Sequence, residues 1–145
     1  MPMCSKWIRT AILALVLLLP SVAAIGQGLL PSAPGQEGLY NVRIELPRGG
    51  MTGVCMMVCD STGLHGSVLN EFGVGLMSFS YDSSKDKVHL HSVFAKMDKC
   101  FIRRALRRDL HKLIHAMNEG STSYENTRRD MKYTFTPIND DDTVR

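Results

Sequence analysis

The chain has 145 residues, a formal net charge of +3, 44% hydrophobic residues and 21% charged ones. That length suits one domain with its own core. The charge is too small to give a broad basic field, which argues against a nucleic-acid partner.

Residues 1–26 read as a secretory signal peptide. Lys6 and Arg9 make a positive start, Ala11 to Leu19 is an unbroken apolar run, and small residues follow Pro20 at Ser21, Ala23, Ala24 and Gly26. These are the three parts of an export signal. The apolar run is about half of the roughly 20 residues a membrane-spanning helix needs, so no transmembrane span is expected. Cleavage before Ile25 or before Gln27 fits the small-residue rule. The exit carries no cysteine, since Cys4 precedes the apolar run, so a lipid-modified start is not expected. The expected location is the periplasm, as a soluble exported domain. Removing Lys6 and Arg9 with no acid lowers the formal charge from +3 to +1.

Residues 27–38 are rich in Gly, Pro, Ser and Gln and read as a flexible leading segment. A single β-rich domain is expected over 39–136. In Tyr40–Leu46, Tyr40, Val42, Ile44 and Leu46 alternate with Asn41, Arg43 and Glu45, the pattern of a half-buried strand. Pro47 ends it and Gly49-Gly50 supplies a turn. Thr52–Cys59 is apolar on both faces, with Val54, Met56 and Val58 on one and Cys55, Met57 and Cys59 on the other. Leu64–Phe72 is a third strand, interrupted by Gly66. Val74–Tyr81 is a fourth, with Met77, Phe79 and Tyr81 on one face. Lys87–Phe94 is a fifth, with Val88, Leu90 and Phe94 opposite Lys87, His89 and His91. Short polar turns between them exclude parallel crossovers and predict an antiparallel meander.

The period then becomes helical over 98–119. Ile102, Leu106, Leu110, Leu113 and Met117 fall within about 80° of one another, one apolar stripe. Asp98 is the expected N-cap and Gly120 the stop. Met131–Thr136 alternates weakly as a last strand. Pro137 opens an acidic tail, 137–145, expected to be disordered. The predicted class is α+β: a curved, partly barrel-like antiparallel meander covered by one amphipathic helix.

Chemistry-bearing constellations are few. No serine elbow, phosphate-binding loop or metalloprotease helix is present, so no catalytic residue and no cofactor is assigned, and the chain reads as a non-enzyme. His89 and His91 share a strand face, and His111 and His115 share a helix face. Each spacing suits a divalent metal. Both pairs lie on polar faces, and Arg104, Arg107, Arg108 and Lys112 oppose a cation near the second. No metal ligand is therefore assigned, and metal binding by surface histidines stands as an alternative. Cys55 and Cys59 on one extended strand would be roughly 13 Å apart, beyond disulfide reach. Pairing of either with Cys100 is left open.

The doubly apolar second strand carries the functional argument. An antiparallel sheet normally leaves one face wet. A strand apolar on both sides implies a second covered surface, a partner or an apolar ligand. The expected lining residues are Val54, Met56, Val58, Met77, Phe79, Leu106, Leu110 and Met117, with Arg104, Arg107 and Arg108 meeting an anionic head.

The runs Gly53-Val54-Cys55-Met56-Met57-Val58, Gly66 to Val74 with its Asn70-Glu71-Phe72-Gly73 turn, Phe79-Ser80-Tyr81-Asp82 and the helix from Asp98 to Leu110 resemble small exported proteins of Bacteroidota-type bacteria. Their order is similar to the Lol-type lipoprotein carrier and receptor fold. That resemblance implies an incomplete β-barrel plugged by helix around an apolar cavity for acyl chains. It covers roughly Tyr40 to Met117. The expected function is a non-enzymatic periplasmic binding protein for an acyl chain or a lipidated partner. A ligand-free interaction or structural module of the cell envelope is the alternative.

Overall fold

The computed structural model describes residues 28–139. The proposed signal peptide and the last six residues lie outside them. Seven strands form one antiparallel sheet: β1 Glu37–Leu46, β2 Gly49–Asp60, β3 Gly63–Leu69, β4 Gly75–Asp82, β5 Lys87–Val93, β6 Ser123–Asn126 and β7 Met131–Pro137. The spatial order is β5-β4-β3-β2-β1-β7-β6. The first five make the meander, and the chain then crosses the sheet as helix α1, Cys100–Asn118, to add a hairpin beyond β1. The fold is thus α+β, a curled antiparallel sheet with one helix. Among the described residues no helix is long and apolar enough to cross a membrane.

One face of the sheet packs on α1. Tyr40, Val42 and Ile44 of β1, Cys55 and Met57 of β2, Val68 of β3, Phe79 of β4, and Tyr133 and Phe135 of β7 meet Leu106, Leu110, Leu113, Ile114 and Met117 of the helix. All of these are buried, as the helical stripe and the strand alternation require. Burying such side chains, at about 1.5–3 kcal/mol each, drives the layering.

Several local expectations change. Asp98 does not cap α1. Lys99 occupies the N-cap without a side-chain bond, and Asp98 instead accepts a hydrogen bond from Arg103 at 2.9 Å. Gly120 does end the helix, at φ +93, a conformation that favours glycine. The amide of Ser121 then reaches back to the Ala116 carbonyl at 2.9 Å. Residues 28–36 are tied to the domain rather than loose. Leu29 donates to the Met117 carbonyl, Gly35 donates to Cys59, Cys59 donates to Gln36, and the Tyr40 hydroxyl donates to the Leu29 carbonyl at 2.6 Å. Pro137 belongs to β7, and Ile138 still donates to Leu39.

The three cysteines described are free thiols in graded environments: Cys55 buried, Cys59 half-buried, Cys100 exposed. Burial pushes the Cys55 thiol up to about 12. The thiolate is the reactive species. Under native conditions Cys100 is expected to label rapidly with a thiol reagent and Cys55 only after unfolding, as read by mass spectrometry. Rapid labelling of Cys55 would contradict this packing.

Candidate functional site

The expected ligand-lining residues do not share one surface. Met77, Phe79, Leu106, Leu110 and Met117 are sealed in the helix–sheet core. Val54 and Met56 are 40% and 49% exposed on the opposite face of the sheet, and Val58 is half-buried there. The reason is register. Tyr40 pairs with Cys55 and Asn41 with Val54, so the inward face of β1 fixes Cys55 and Met57 as the inward face of β2. The side expected to hold a ligand is therefore the outer one. It carries an apolar patch, with Leu39 opposite Met56 and Val54 opposite Leu69, amid Ser67, Ser78 and Ser80 on the neighbouring strands.

An apolar groove lies elsewhere, at the open end between α1 and the sheet. Its volume is about 500 Å³. Ile44 and Leu106 form the buried floor, and Leu46, Met97, Ile102 and Met131 are half-buried walls. Phe101, 60% exposed, stands at the mouth. Pro47, Ala105, Arg48 and Arg129 complete the lining. The groove is bounded by the end of β1 and its Pro47-Arg48 turn, by Arg129 and the start of β7, and by the first turns of α1.

Arg129 is also a wall of a second, polar cleft of about 630 Å³ with Arg108, Lys112, Asn126 and Arg128. The ammonium of Lys112 sits 5.8 Å from the centre of the Tyr124 ring, which holds it on this flank. Four cations thus surround a cleft that shares a side chain with an apolar groove. Of the three arginines expected to meet an anionic head, Arg108 lines this cleft. Arg104 and Arg107 are exposed on the helix and line neither space.

The opposite flank of α1 holds a second constellation. The two histidine pairs stay separate: His89 and His91 are exposed on β5, where His91 bonds Ser80 at 2.8 Å. His111 and His115 instead turn toward the β4–β5 turn. Their Nε2 atoms lie 2.9 and 2.7 Å from Oδ1 of Asp86, and the Tyr81 hydroxyl donates to the same oxygen at 2.7 Å. Asp86 closes the turn at φ +50. The turn itself is tied by Asp82, which accepts from the Ser84 amide and hydroxyl at 2.9 and 2.6 Å. The Tyr81 hydroxyl first, then His115, hold the Asp86 carboxyl down at about 2. Burial and that same bond push the Tyr81 phenol up to about 12. Sequence reading found the histidine pair and missed Asp86, because a turn aspartate looks like turn chemistry alone.

No family model, no curated protein and no solved structure matches this chain.

Proposed function

We propose that this protein is a non-enzymatic binding protein of the cell envelope that holds an apolar chain bearing an anionic head. The acyl chain lies in the groove of Leu46, Met97, Phe101, Ile102 and Met131, and the head meets Arg129 and the cleft of Arg108, Lys112 and Arg128. The observation that carries this reading is the shared Arg129 wall between an apolar groove and a cationic cleft. A groove of that size lies within the roughly 300–1,000 Å³ range of small-molecule sites. Affinity comes from apolar burial, at about 0.8 kcal/mol per methylene. The fold supplies a curled antiparallel sheet with one covering helix, between which an apolar chain can lie. Location outside the cytoplasm rests on the composition of residues 1–26.

Displacement of an apolar fluorescent probe by fatty acids of increasing length tests this. Affinity is expected to rise about fourfold per added methylene until the groove is full. Phe101→Asp, at an exposed position, is expected to weaken binding at least tenfold without unfolding the domain. Arg129→Ala is expected to erase the preference for a carboxylate over the alcohol of equal length. A protein that leaves the probe dark overturns the proposal. If it also shows a concentration-dependent mass, the outer patch of Leu39, Val54, Met56 and Leu69 makes it a ligand-free interaction module instead.

A further inference from the structure

We infer that Asp86, His111 and His115 form a binding site for a divalent transition-metal ion, of which zinc fits best. The three ligand atoms lie within 4.8 Å of one another, the span of a single coordination sphere. They come from two separate elements, the β4–β5 turn and the C-terminal half of α1. The i, i+4 spacing brings the two imidazoles together, with ring centres 4.6 Å apart and planes tilted by 56°, and both Nε2 atoms meet the same oxygen of Asp86. Two imidazoles and one carboxylate are a ligand set for zinc, leaving one tetrahedral position for water. Imidazole selects zinc, copper, nickel or iron over magnesium or calcium.

The surroundings support the assignment. The Tyr81 hydroxyl bonds the Asp86 carboxylate, the kind of outer partner that orients a metal ligand. Both imidazole rings pack edge-on against the Tyr81 ring, at 6.4 and 6.2 Å between centres, which limits their rotation. Lys112 and Arg108, two of the four helix cations that oppose a metal, belong to the cleft on the other flank. Arg107 lies one turn before His111, and the ligands are half-exposed, so the site is open and weaker than a closed structural zinc site. On binding, each imidazole carries its proton on Nδ1 and gives the Nε2 lone pair to the metal, and the Asp86 carboxylate is the third ligand. The site is independent of the apolar groove.

Zinc titrated into the full chain at pH 7.5, followed by ¹⁵N NMR of the imidazoles, tests the inference. One equivalent is expected to shift the Nε2 resonances of His111 and His115 and leave those of His65, His89 and His91 in place. Imidazole resonances separate this site from zinc held by Cys100. Asp86→Asn keeps a residue that tolerates the left-handed backbone at this turn. It is expected to weaken zinc at least tenfold, as is His115→Ala, whereas His89→Ala changes nothing. Zinc that shifts His89 and His91 first, or an affinity within twofold of wild type in both Asp86→Asn and His115→Ala, would overturn it.

Discussion

Replacing Asp109 by alanine is expected to cost the fold about 3 kcal/mol, one of the largest effects of any single polar change in this domain. Asp109 is fully buried on the inner side of α1. Its Oδ2 accepts from the Tyr133 hydroxyl at 2.7 Å and its Oδ1 from the Asn126 amide at 2.9 Å. The carboxyl group thereby ties the helix to both strands of the last hairpin, which closes the sheet beyond β1. Alanine would leave the buried Tyr133 hydroxyl only the Met131 sulfur, 3.9 Å away, and a hole beside it. Burial, then the bond to Asp109, holds the Tyr133 phenol far above its ordinary range, so it stays a donor at any working pH. Tyr133→Phe removes only the donor and is expected to cost about 2 kcal/mol. Urea midpoints at constant slope measure both. Wild-type stability in Tyr133→Phe would show that this bond contributes nothing net.

Gly66→Ala is expected to cost about 2 kcal/mol and Gly66→Val more, while Gly75→Ala is neutral or stabilising. Gly66 is directly opposite Phe79 on β4, and the Phe79 ring lies against its backbone. Phe79 is 1% exposed and held on every side, so an added methyl group forces the ring into the core. Gly75, at the start of the same β4, has open space where a side chain would begin. Thermal midpoints of the three variants separate a packing requirement from a general dislike of substitution in strands. Equal effects at the two positions would remove the packing explanation.

These residues also mark how far the sequence was legible. The meander was legible because β1 alternates strictly and β4 and β5 alternate over most of their length, and α1 because its stripe has a single angular sector. The orientation of β2 was misread because both of its faces are apolar, so periodicity alone does not choose between them. A signal was present nonetheless. A two-residue turn at Pro47-Arg48 or at Gly49-Gly50 pairs even-numbered β1 residues with odd-numbered β2 residues, which puts Cys55 and Met57 on the same inner face as Tyr40 and Ile44. Asp109 carries a charge that hides its inward position, although its angle falls about 20° from the edge of the apolar stripe. β6, the polar run Ser123–Asn126, has no alternation to detect and exists because β7 offers it an edge. The groove and the cationic cleft depend on which turns end where, which no local pattern specifies. Gly66 was read as a weak point of its strand, because a glycine in sequence shows no aromatic ring above it.

The methionine methyl groups give the most direct measurement of where a ligand sits. Met97 and Met131 line the groove, Met56 lies on the outer face, and Met117 is sealed in the core. With laurate added to protein carrying ¹³C-labelled methionine methyl groups, Met97 and Met131 are expected to shift progressively to saturation while Met56 and Met117 stay in place. Shifts at Met56 with Met97 and Met131 unmoved would contradict the groove and return the apolar surface to the outer face of the sheet.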